Sequence, residues 1–156
     1  MGISAEISVT RVTKGEGVPG LKKRTLPGSV KVGLLSGLGE HPNSDDGQTM
    51  AEIAMFQEFG TRHIPERPFL RTTIQERKSE YLAIMKSLLK RIMNGDMTVS
   101  DARKVLGLKA MADVQNKIVE ISSPQNAEAT IRKKNSSNPL IDTGAMKQSV
   151  SWDVVK

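Results

Sequence analysis

One short run constrains this chain more than any other: Glu58-Phe59-Gly60-Thr61, followed by Ile64-Pro65-Glu66-Arg67-Pro68-Phe69-Leu70-Arg71. Gly60 can take the left-handed conformation that closes a helix. Pro65 and Pro68 fix φ and hold the residues before them extended. Pro68 suits the first position of a new helix, where its missing N–H is no loss. The run therefore predicts two helices joined by a stiff elbow, with Phe69, Leu70 and Ile74 turning one face of the second helix toward a core. No catalytic arrangement is present, so the elbow reads as architecture.

The flanking segments supply the rest of the architecture. Ile3, Ala5, Ile7 and Val9 alternate with polar residues, the period of a strand with one covered face. Val30–Leu35 reads as a second strand, and Val150, Trp152 and Val154 begin a third. Thr49 and Glu52 fit a capping box that opens a helix running to Phe59. A longer helix is expected over 68–93, with Leu70, Ile74, Tyr81, Met85, Leu88, Leu89 and Ile92 at three- and four-residue steps, closed by Asn94-Gly95. A third is expected over 101–121, capped by Ser100, with Val105, Leu108, Met111, Ala112, Val114, Ile118 and Val119 as its apolar positions. Gly107 should weaken it by about 1 kcal/mol relative to Ala. Asp142 or Thr143 should cap a short turn through Gln148. The order implies an α+β fold: a small antiparallel sheet of N- and C-terminal strands packed by two or three helices, one long. The 156 residues fit one domain, 1–156. Segments 13–29, 36–48 and 122–139, rich in Gly, Pro, Ser, Asn and charge, read as mobile loops of the kind a partner orders.

Composition narrows the function. Only three Phe, one Tyr and one Trp are present, against eight Met. A core with so few large rings is thin and adaptable, which suits a chain that gains stability by assembly; a small monomer of modest stability is the other reading. There is no cysteine, which excludes disulfides and thiol catalysis. No signal peptide is visible and no apolar run reaches the roughly 18 residues of a membrane span, so no membrane role is expected. The net charge is +6. Its tight clusters, Lys22-Lys23-Arg24 and Arg132-Lys133-Lys134, are either solvated loops or contacts to DNA or an acidic protein surface.

Little points to chemistry. His41 and His63 have no second ligand at metal spacing, and zinc needs three or four. Asp45-Asp46 fits a solvated turn as well as a hard-cation site. Gly37-Leu38-Gly39 does not complete a phosphate loop, and no nucleophile elbow surrounds a serine. The chain is therefore read as a non-enzyme with no metal and no cofactor. Arg67 and Arg71 remain, each with a planar donor fork. They either pair with Glu58 or Glu66 of the same chain or bond across to a neighbouring protomer. Asp142-Thr143-Gly144 reads as a cap that aims the last strand at a sheet edge or a neighbour.

The run from Phe56 to Arg71 resembles a segment of the tailed-phage neck and tail-completion proteins, the family that includes minor tail protein Z. Asn138-Pro139-Leu140-Ile141-Asp142-Thr143-Gly144-Ala145-Met146-Lys147-Gln148-Ser149-Val150 resembles that family's C-terminal piece. The resemblance implies a structural virion protein at the head–tail junction of a bacteriophage or prophage, present in host cytoplasm during assembly. Its partners would be copies of itself in a ring, neighbouring head-completion and tail tube or terminator proteins, and genomic DNA passing through the lumen unread. Arg67, Pro68, Phe69, Arg71, Asp142, Thr143 and Gly144 would then serve assembly. The alternative is a basic nucleic-acid-binding protein.

Overall fold

The fold is a three-stranded antiparallel sheet covered on one face by helices. In the computed structural model, residues 2–7, 29–35 and 47–155 are described. Three strands, β1 (Ile3–Ile7), β2 (Ser29–Leu34) and β3 (Ser151–Val155), lie in the order β1-β2-β3. Ile3 pairs with Leu34 and Ile7 with Val30 on one side of β2; Val32 pairs with Trp152 and Val30 with Val154 on the other. The register gathers Ile3, Ile7, Val30, Val32, Leu34 and Trp152 on one face, where the first five are buried. That face meets the helices: α3 (Val99–Glu120) packs on β2 and β3, and α2 (Phe69–Met93) on α3 and β1.

Local sequence explains most boundaries. Helix α1 (Met50–Phe59) opens on the expected capping box: Thr49 N–H donates to Glu52 Oε2 at 2.8 Å and Glu52 N–H to Thr49 Oγ1 at 3.3 Å. Those bonds to Thr49 hold the Glu52 carboxyl below its usual range. Helix α2 runs almost as the periodicity predicts, burying Phe69, Leu70, Thr73, Tyr81 and Leu88. Polar rungs tie it to α3. The Tyr81 hydroxyl donates to Asp113 Oδ2 at 3.0 Å, Lys109 bridges Glu80 and Asp113 at 2.9 and 2.7 Å, and Lys117 reaches Glu76 at 2.6 Å. Burial, then the Asp113 charge, pushes the Tyr81 phenol well above its ordinary range.

Three expectations change. Helix α3 is capped by Thr98, whose Oγ1 accepts from Asp101 N–H at 3.1 Å, so it starts ahead of Ser100. Its buried side is Ala102, Leu106, Ala110, Val114 and Ile118, while Val105, Leu108 and Val119 face outward. Segment 122–139, expected as loop, contains α4 (Glu128–Lys134) and is bonded to the body at both ends, by Arg67 and by Asn138. Of the other two loops, 13–28 and 36–46 lie outside the described residues, as do Val9, His41 and Asp45-Asp46.

Candidate functional site: the elbow and its strap

Gly60 closes α1 at φ 70° and ψ 172°, a positive φ but not the left-handed helical conformation expected, and a Cβ there would lie 3.1 Å from Glu66 N and Ile64 O. The backbone angle favours glycine, and a side chain would also crowd the backbone of the link. Thr61 then makes a tight turn: its N–H donates to Ile64 O at 2.8 Å and its Oγ1 accepts from Ile64 N–H at 3.0 Å. Arg67 N–H returns to Gln57 O at 2.7 Å, folding the extended link back onto α1.

The second helix is capped from a distance. Pro68 occupies the cap position, and its ring carries no hydrogen-bonding group. The carboxylate of Glu58, in the last turn of α1, takes that role: Leu70 N–H donates to Oε2 at 2.8 Å and Arg71 N–H to Oε1 at 3.0 Å. A buried anion on two free N–H groups also meets the positive end of α2. Pro68 therefore sits one residue earlier than expected, and the capping group is twelve residues upstream of Leu70.

The two arginines separate. Arg71 stays within its own chain, as one reading of the pair expected: it pairs with Glu58 and Glu66, and its Nη2 donates to Glu58 O at 2.9 Å. Its guanidinium also lies 5.4 Å from the centroid of Phe59, which is 59% exposed, so the elbow shows a fixed cation–aromatic edge to solvent. Arg67 instead turns into its own chain. It is 1% exposed and fully engaged inside the chain. Its Nε donates to Pro124 O at 2.6 Å, Nη1 to Gln57 Oε1 at 2.7 Å and Nη2 to Gln125 O at 3.1 Å. It also pairs with neither Glu58 nor Glu66; all three acceptors are neutral, and burial lowers its pKa.

Through Arg67 the elbow holds the strap 122–139. Asn138 ties the strap's other end to α3, its Nδ2 donating to Val119 O at 3.0 Å, while Lys134 closes a turn inside the strap, donating to Pro139 O at 3.1 Å and Asn138 O at 3.4 Å; burial lowers its pKa. Lys134 thus differs from the exposed Arg132 and Lys133 beside it in α4. Lys22-Lys23-Arg24 lies outside the described residues. The C-terminal piece then returns to the elbow. Gly144, at φ 80°, is the cap residue of α5 (Ala145–Gln148), and Thr143 Oγ1 accepts from Ala145 N–H at 3.3 Å, so neither Asp142 nor Thr143 holds the cap position. Met146 of α5 is buried in the same core as Met50, Ala54 and Phe69, and α5 packs on α1. The last strand goes to the edge of the sheet beside β2.

Sequence reasoning weighed Glu58 only as an arginine partner and did not see Gln57, Tyr81 or Asp113 as polar anchors. The bonds that make them anchors between elements reach 10 to 32 residues away, which no local spacing marks; only Asp113 also has a near partner, Lys109 four residues back. His63 stands exposed in the elbow, and among the described residues no group of His, Asp or Glu is arranged to hold a metal ion. Among these residues, no helix is long and apolar enough to cross a membrane. No family model, curated protein or solved structure matches the chain.

Proposed function

We propose that the chain is a structural assembly protein at the head–tail junction of a tailed bacteriophage or prophage, acting by ring formation and docking. The observation that carries this reading is the use of the elbow's polar groups. Glu58, Arg67, Gln57 and Thr61 all serve to fix helix positions, and the exposed product is the rigid Phe59–Arg71 edge. A prearranged edge loses little entropy on contact. That suits repeated docking between protomers, with Arg71 and not Arg67 as the arginine offered to a neighbour. The sequence resemblance of the same residues to neck and tail-completion proteins supports it. Ring contacts are heterologous and need a second, different patch; DNA would pass through the lumen with backbone contacts only.

Removing the gene from the phage that encodes it should leave filled heads and finished tails unjoined by electron microscopy. Normally joined particles would overturn the proposal. A nucleic-acid-binding role is the second reading, favoured by Lys86, Lys90 and Arg91, exposed near the end of α2. Duplex DNA affinity of the isolated chain that falls steeply with salt would support it.

A further inference from the structure

Arg67 is wholly buried, and among the described residues no carboxylate pairs with it. Buried charges ordinarily have a counter-charge. Lys134 has the Asp142 charge acting on it, and half-exposed Arg71 has two carboxylates; Arg67 has burial alone. The geometry of its fork shows what is missing. Nη1 is tied to Gln57 of α1. Nε and Nη2 lie side by side on the edge that receives a carboxylate bidentately. Here the consecutive carbonyls of Pro124 and Gln125 occupy that edge, at 2.6 and 3.1 Å. The strap therefore fills a carboxylate site with two neutral oxygens.

We propose that the strap is a displaceable lid on this site, and that the ligand is an Asp or Glu side chain of a partner protein. The lid is lightly fastened. Helix α4 has no buried residue, and Pro124 and Gln125 are themselves exposed. Besides Arg67, the stretch is tied by Asn126, whose Nδ2 donates to Pro139 O at 3.2 Å, next to Leu140 of the core. When the stretch around Pro124 lifts, Gln57 keeps its hold on Nη1, so the fork stays oriented and its other edge is free. A carboxylate entering there makes both bonds and supplies the missing charge.

The same edge matches a phosphate, but duplex DNA is held by many cations at once, and this is one guanidinium beneath a strap. A single protein carboxylate is the ligand that fits. Closed, the elbow offers Arg71; open, it adds Arg67. The inference does not rest on the head–tail reading, because any protein with an exposed acidic side chain serves. A site that is open for part of the time binds more weakly by the open fraction. Loosening the lid without touching the fork must therefore strengthen binding, which a merely structural strap would not do.

Fluorescein-labelled hexaglutamate, titrated into the full chain at about 0.15 M salt to screen surface charges, tests this by anisotropy. Asn126→Ala removes one fastening of the lid and leaves Pro139 O bonded to Lys134. It should bind about three- to tenfold more tightly than wild type, the factor that one hydrogen bond puts into the opening equilibrium. Its amide exchange should rise across 122–139 and stay unchanged in α2 and α3. Arg67→Gln should bind more weakly than wild type, and Arg67→Gln/Asn126→Ala should show no gain over it. Equal affinity of wild type and Asn126→Ala, or a strap whose exchange does not rise, would overturn the lid; that comparison stands whether or not Arg67→Gln folds. The same gain without Arg67 would overturn the site, and a gain for duplex DNA alone would overturn the carboxylate as its ligand.

Discussion

The indole of Trp152 occupies the space where residue 107 would carry a side chain: a Cβ at Gly107 would lie 2.3 Å from both Cδ2 and Cε3 of the ring. Gly107 is buried in the middle of α3, opposite the β3 edge of the sheet. By propensity alone Gly107→Ala should stabilise the helix by about 1 kcal/mol. The clash reverses the sign, because forcing a methyl into a filled site costs about 1–3 kcal/mol. The variant should unfold at lower denaturant, with altered emission from Trp152, the only tryptophan. A gain in stability would show that the ring moves aside freely.

Glu58 links two helices through one carboxylate. Glu58→Ala leaves the N–H groups of Leu70 and Arg71 without their acceptors and should cost about 2–4 kcal/mol. Glu58→Gln keeps one acceptor and the shape, and should cost about 1 kcal/mol. Urea titration separates the two; a Glu58→Gln loss near zero beside a full Glu58→Ala loss would mean the capping bonds contribute nothing beyond packing.

Arg67 fastens the strap, and α4 itself has no buried residue. Arg67→Lys supplies a point donor in place of a fork that reaches three acceptors. It should cost about 2–4 kcal/mol and speed amide exchange across 122–139 more than in α2 or α3. Uniform acceleration over the whole chain would count against a local fastening role.

Tyr81 is the only tyrosine and is buried against Asp113. Its phenol is held protonated above the ordinary value, so the folded state keeps a proton that the unfolded chain loses near pH 10. Its contribution to stability is whole below about pH 10 and declines as pH rises further. Absorbance titration should place its ionisation above that of free tyrosine. Tyr81→Phe should cost about 1 kcal/mol at neutral pH and flatten the alkaline decline; an unchanged decline would assign it to other groups.

Phe69 is wholly buried at the first turn of α2, beneath the elbow. Phe69→Ala should cost about 3–5 kcal/mol, read as a fall in denaturation midpoint. A loss below about 1 kcal/mol would mean that the site collapses without it.

What could be read along the chain is what is decided within one turn or one strand. The capping box of Thr49 and Glu52, the stop at Gly60, the span of α2 and the alternation of β1 all follow from neighbours three or four residues apart, or two apart in a strand. The α+β class followed from those local periods. Tertiary structure alone chose which apolar positions of α3 face inward, because Val105, Leu108 and Leu106 are equally apolar and only the sheet's position distinguishes them. It also made Glu58 a cap for the next helix and Arg67 an internal fastener, and it turned Gly107 from a weak point into a requirement. Each depends on a group far away in sequence arriving within bonding or contact distance, and hydrogen bonds and steric repulsion act only at that range.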